Sequence, residues 1–243
     1  MPAPTTPTPD PASTATDPAP ASVAVDWDAL PGVTTAEQLH TYGIPEPATR
    51  DKVRHRLAPI DREFLAAAPL VFVGTATPDG RCDVSPKGDP AGFVQILDAR
   101  TLAIPERAGN KRMDGFHNIL ANPHVGLTFV IPGRGDTLRV NGSARIVTDG
   151  PFFDDMIVKG HRPALALLVG VQEVFYHCPK AVMRSGAWRP ESWQPDRVRS
   201  YADIAKILWR AGDPAEEVDR YYGAGYAAGL YPANPPGGNA PAS

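Results

Sequence analysis

RCDVSPKGDPAGFVQILDARTLAIPERAGNKRMDGFHNILANPHVGL, residues 81–127, carries the change of period that decides the fold. Two short β-rich runs, Phe93–Leu97 and Thr101–Pro105, flank Asp98-Ala99-Arg100 and read as a pair of strands around a turn. A helical period follows over Lys111–Ala121, with Met113, Phe116, Ile119 and Leu120 on one face. Asn122-Pro123 ends it, because a residue before proline is pushed out of the helical region. His124–Ile131 then returns to strand character. A single helix crossing between short strands is not the regular alternation of a doubly wound sheet. It suggests a small closed or split barrel.

Working outward, Leu70–Thr77 is apolar and β-rich, and Pro78-Asp79-Gly80 turns it into Arg81–Ser85. Before it, Asp61 can cap a helix over Arg62–Ala68 that Pro69 ends, and Thr34 with Glu37 has capping-box spacing ahead of Leu39. Downstream, a Gly-Arg-Gly turn leads into the long strand Thr137–Thr148. Leu138, Val140, Gly142, Ala144 and Ile146 face one way there, and Arg139, Asn141, Ser143 and Arg145 the other. Pro151–Val158 reads as a short amphipathic helix, and Ala164–Val169 and Val171–Cys178 as two further strands. Helical signals return at Pro179–Arg184, Tyr201–Trp209 and Ala215–Tyr222. The expected class is mainly β (α+β) with peripheral helices.

Composition sets the limits of that domain. The chain holds 28 prolines in 243 residues, unevenly spread. Residues 1–22 are almost wholly Pro, Ala, Thr, Ser and Asp, which gives too little apolar surface to offset chain ordering, so they read as a disordered tail. They lack the basic start and apolar core of a signal peptide. Residues 232–243 repeat this composition and read as a flexible tail, leaving 23–231 as one domain. No run approaches the roughly 20 apolar residues of a membrane span. The net charge of −3 offers no general basic field to nucleic acid or an anionic membrane. Cys82 and Cys178 are far apart and have no metal-ligand spacing; they read as free buried thiols in a reducing cytoplasm, with a disulfide as the open alternative.

The chemistry concentrates near the crossing helix. Lys87, Arg107, Lys111 and Arg112 place four cations around strand ends, and Asn110 can cap a helix beginning near Lys111. A helix N-terminus flanked by Lys and Arg is a physical recipe for holding a phosphate. Taken alone, such a cluster is also what a solvated surface looks like. His177 and Cys178 do not make a base and nucleophile, because neighbours on a strand point to opposite faces. Arg134-Gly135-Asp136 reads as turn chemistry, and Tyr221, Tyr222, Tyr226 and Tyr231 as a packing segment. There is no G-x-G-x-x-G after a strand, no G-x-S-x-G elbow and no metal set among the histidines.

The ordered combination is more specific than any of its pieces. The hairpin VFVGTATPDGRCDVSPKGDP, the "AIPER" strand, the helix closing on NILANPHVGLTFVIPG and the strand TLRVNGSARI resemble the pyridoxamine-5′-phosphate-oxidase-like FMN-binding split barrels. HCPKAVMRSGAW resembles the C-terminal element of an uncharacterised FMN-binding subgroup of that superfamily, so the resemblance spans about Ile60 to Trp188. It implies FMN, a homodimer with flavin in clefts between subunits, and redox chemistry. Carried over by position, it puts the phosphate on Ser85, Lys87, Asn110, Lys111 and Arg112, and the ring edge along the backbone of Leu102–Pro105, with Ile104 and Pro105 nearest. Arg139 and Asn141 would line the cleft from the long strand. Lys180, Arg184 and Ser185 can present one polar face beside the flat wall of Trp188, suited to an anion or flavin pocket and equally to a structural Trp with solvated cations. One slot departs: where many relatives carry Ser-Arg-Lys, this chain has Met113-Asp114-Gly115, so the basic pair sits one to two residues early.

The readings that follow are an FMN-dependent oxidase or reductase of a small organic substrate, a non-enzymatic flavin or haem binder, and a cofactor-free interaction module. The deazaflavin F420 stays open as an alternative to FMN. Oxidation of pyridoxamine phosphate itself is disfavoured by the missing C-terminal substrate signature of those enzymes. No strong acid or base is visible, which fits chemistry carried by a cofactor.

Overall fold

A computed structural model of the protein describes residues 25–223 and 225–231. The expected tails, 1–22 and 232–243, lie outside the described residues. The chain divides into two units, 1–47 and 48–243, a boundary inside the stretch read above as one domain.

In the first unit, helix α1 (Ala36–His40) buries none of its residues. Its capping box is one residue later than the Thr34–Glu37 spacing suggested. Gln38 N–H donates to Thr35 Oγ1 at 3.2 Å, while Gln38 Oε1 accepts from the N–H groups of Thr34 and Thr35 at 2.8 and 3.3 Å. One amide oxygen satisfying two orphan donors favours this register. A one-turn helix, α2 (Pro47–Arg50), begins at the last residue of this unit and continues into the next.

Within the second unit, α3 (Pro59–Ala67) has proline at its first position, where no N–H is needed. Asp61 lies inside this helix at its third residue rather than ahead of it, and from there accepts the Ala58 N–H at 2.7 Å. Seven strands then build one sheet: β1 (Leu70–Ala76), β2 (Cys82–Gly88), β3 (Gln95–Ile96), β4 (Thr101–Pro105), β5 (His124–Val130), β6 (Thr137–Val147) and β7 (Ala166–His177). Their order is β2-β1-β5-β6-β7-β4-β3 and every pairing is antiparallel. The order does not return on itself, so the barrel is split rather than closed. This is the α+β split barrel that the resemblance implies, and it decides between the closed and split forms that the strand pattern left open.

Period-two alternation decides the core. Val71, Val73, Leu127, Phe129, Leu138, Val140, Val169 and Val174 point inward, where Phe64 and Leu65 of α3 meet them. Helix α4 (Asp114–Ala121) crosses between β4 and β5 and adds Phe116 and Ile119 to the same core. Leu120, placed on that face by its spacing, is exposed instead. The helix also starts three residues later than expected. Lys111 and Met113 have φ of 61° and 56°, left-handed values that cannot continue a helix. Asn110 Oδ1 accepts the Arg112 N–H at 3.1 Å, a local turn in place of the expected cap.

Two other expectations change. Pro151–Val158 holds only a single 3-10 turn, Asp154–Met156, because one turn suffices to bury Phe153 and Met156 against Ala103 and Ala166. The two strands expected around Gly170 are one continuous β7, with the irregularity at Gln172. The register passes from Asn141↔Glu173 to Gly142↔Val171, leaving Gln172 as a bulge. The C-terminal part carries α5 (Lys180–Ser185), α6 (Tyr201–Leu208) and α7 (Ala215–Tyr222), the last two packed around Ala202, Ala205 and Val218. Among the described residues no helix is long and apolar enough to cross a membrane.

Candidate functional site

A cleft of about 880 Å³ opens where β2, the loop leaving β4 and the first turn of α4 meet. That volume lies within the roughly 300–1,000 Å³ usual for small-molecule and cofactor sites. The alternation of β2 aims Asp83, Ser85 and Lys87 to one side and leaves Cys82, Val84 and Pro86 exposed on the other. Val73, Phe93, Phe116, Ile119 and Leu167 give the cleft an apolar lining. Gly115 lets α4 close on β2: a Cβ there would stand 3.2 Å from Asp83 Oδ2 and 3.9 Å from Ser85 Oγ.

The cations of this cleft are mostly committed to carboxylates. Lys87 pairs with Glu106, and its Nζ lies 5.0 Å from the centre of the Phe116 ring. Arg107 pairs with Asp89, whose side chain is shut from solvent, and donates to the carbonyls of Met156 at 2.6 Å and His161 at 3.1 Å. Arg112 Nε donates to Asp114 Oδ2 at 2.7 Å, and that bond holds its pKa above the ordinary guanidinium value. Ser85 Oγ donates to Asp83 Oδ2 at 2.8 Å. The Tyr231 hydroxyl donates to Asp89, which raises the pKa of its phenol.

Of the residues anticipated from sequence, Ser85, Lys87, Pro105, Asn110 and Arg112 line this cleft. Lys111 lines an adjoining cavity of about 290 Å³. Ile104 is fully buried in the core, so only its backbone is available to a ligand. Arg139 and Asn141 are elsewhere, on the outward side of β6. Arg139 lies over the Phe175 ring at 5.1 Å, and Asn141 Nδ2 donates to Glu173 Oε2 at 2.8 Å beside a groove of about 420 Å³. Lys180, Arg184, Ser185 and Trp188 are also not brought to the cleft within one chain. Ser185 Oγ donates to the Val182 carbonyl at 3.1 Å, and Trp188 Nε1 donates to the Arg134 carbonyl at 2.6 Å.

Sequence reasoning missed Asp83, Asp89, Glu106, Lys159 and Tyr231 as lining groups. Tyr231 does not join the packing segment expected of it: Tyr221, Tyr222 and Tyr226 cluster with Tyr201, while Tyr231 lies against His161. The one local signal for Lys159 was Lys-Gly at a tight turn, where both residues take left-handed φ of 51° and 80°.

The fold and the cavity together make a split antiparallel barrel with a cleft at the start of its crossing helix. Residues 59–178 match the family model of pyridoxamine 5′-phosphate oxidase, and the chain belongs to the pyridoxamine-5′-phosphate-oxidase-like superfamily. Similar solved structures include a candidate pyridoxamine 5′-phosphate oxidase from Lactobacillus delbrueckii, 23% identical over 49% of this chain and 93% of that one, TM-score 0.39. HupZ of Group A Streptococcus is 21% identical over 49% of this chain and 93% of its own, TM-score 0.40. An FMN-binding protein from Syntrophomonas wolfei is 12% identical over 48% and 88%, TM-score 0.36. No curated protein matches the chain.

Proposed function

We propose that the protein binds FMN in this cleft and acts in the cytoplasm, as a homodimer, as an FMN-dependent oxidoreductase of a small organic substrate. The observation that carries the reading is the convergence, in one cofactor-sized cleft, of an apolar lining with Lys87, Asn110 and Arg112. The donor set fits the group. Lys87, Asn110 and Arg112 would hold the phosphate, and the backbone at Ile104 and Pro105 would face the ring. Lys87 and Arg112 release Glu106 and Asp114 to do so, since both are paired in this structure. Bound FMN supplies hydride transfer, while the chain contributes binding, orientation and exclusion of water. The homodimer is supported by the outer sheet face, where Phe72 and Val84 are exposed.

A second reading has its own observation. Lys87, Arg107 and Arg112 are each tied to a carboxylate, which leaves no uncommitted acid or base among them. That favours a non-enzymatic binder of flavin, F420 or haem on the same barrel.

The absorbance spectrum of the purified protein, with mass spectrometry of what it releases, identifies the cofactor. The double change Lys87→Ala with Arg112→Ala should then weaken FMN by about tenfold or more and leave riboflavin nearly unaffected, since only FMN carries the phosphate. A colourless protein that binds neither ligand, or an equal loss for both, overturns the phosphate assignment. Turnover of bound flavin by NAD(P)H, an amine or a reduced deazaflavin separates the enzyme from the binder.

A further inference from the structure

The family match ends at residue 178, yet the last described residues reach the cleft. Leu230 and Tyr231 line both it and the adjoining 290 Å³ cavity, so Tyr231 stands between the two. Three groups from distant parts of the chain hold it there. Its hydroxyl donates to Asp89, 142 residues earlier, the same carboxylate that Arg107 pairs with. The His161 ring lies 5.6 Å from its ring centre, and Lys159 Nζ lies 5.0 Å from it. Lys159 is presented by a turn whose left-handed backbone is disfavoured for a residue with a side chain. Unlike Lys87, Arg107 and Arg112, it makes no ion pair among the described residues. A tyrosine that served only to pack the C-terminal helices would sit with Tyr221, Tyr222 and Tyr226.

We infer that Tyr231 is a ligand-positioning residue of the cleft, supplied by the C-terminal segment, whose hydrogen bond to Asp89 shuts one wall behind the bound molecule. The inference rests on the reading of the cleft as a flavin site. The ring gives that wall a flat apolar face, and Lys159 beside it gives a cation free to meet an anionic ligand group. Because the anchor forms between protein groups, its loss acts on escape more than on entry.

Stopped-flow release of FMN tests this in the full-length protein, wild type against Tyr231→Phe and Tyr231→Ala, with iodide quenching of bound-flavin fluorescence as a second readout. Removing a hydrogen bond to a charged group should speed release by about tenfold in Tyr231→Phe. Tyr231→Ala should release faster still and open the flavin to iodide, with association changed much less. Unchanged release and quenching in both variants, at unchanged melting temperature, would overturn the inference and leave the FMN reading standing. If the wild type binds no flavin, that reading fails, and the wall is tested with anilinonaphthalene sulfonate. Stronger dye binding by Tyr231→Ala supports the wall, and equal binding overturns it.

Discussion

Asp61 has no exposed side-chain surface, and nearby chain supplies both its ion-pair partner and a backbone donor. Arg54 pairs with both its oxygens, the second contact at 2.9 Å, and Ala58 N–H donates at 2.7 Å. Tyr176 sits beside this pair, with its ring edge-on to Phe64 at 5.6 Å. Burial first, and then the negative charge of Asp61, push the Tyr176 phenol up to about 12. A free tyrosine titrates near 10, so the fold favours the neutral phenol. Its contribution is whole below about pH 10 and is lost as pH rises through about 12. Melting temperature should therefore fall across that interval, and Tyr176→Phe should flatten the fall. An unchanged slope in the variant would assign the alkaline loss to other groups. Sequence spacing found Asp61 as a cap but not its position inside α3, because Asp serves both at the cap and in the first helical turn.

At the scale of elements, the contact between β6 and β7 depends on a missing side chain. A Cβ at Gly142 would lie 2.0 Å from the Gly170 carbonyl oxygen, at the point where Gln172 bulges out of register. Gly142→Ala should destabilise the protein by about 1–3 kcal/mol through overpacking against backbone. Gly74→Ala meets the Gly126 oxygen at 3.4 Å, an ordinary contact, and should leave the melt nearly unchanged. Equal melting temperatures for the two variants would show that the sheet relaxes freely at the bulge. Alternation in Leu70–Thr77 and Thr137–Thr148 made their strands readable from sequence, because burying one face imposes a period of two. The bulge was not readable, since it arises from two strands meeting. The late start of α4 was hidden too: Lys111 and Met113 are ordinary helix formers, and only the surrounding loop forces them left-handed.

The whole molecule presents an open sheet with β2 and β3 at its edges and Phe72 and Val84 on an exposed face. The proposed homodimer would cover that face. Sedimentation should give a dimer at micromolar concentration and a monomer for Phe72→Glu with Val84→Glu; a monomeric wild type would sink the proposal. Half of the candidate site was legible in sequence because it is nearly local. Ser85, Lys87, Pro105, Asn110 and Arg112 fall within one short stretch, on β2, the end of β4 and the loop beside α4. Lys159 and Tyr231 join them only through the packing of the whole chain, which no spacing encodes.

The pairing of Lys87 with Glu106, Arg107 with Asp89 and Arg112 with Asp114 also shapes how a ligand arrives. Opposite charges in contact largely cancel at a distance, so these three pairs add little pull on an anion in bulk solvent. The steering that remains falls to Lys159, and salt screens it. Selection among anions is thereby deferred to the interior, where a guest must out-compete Glu106 and Asp114 for their own cations.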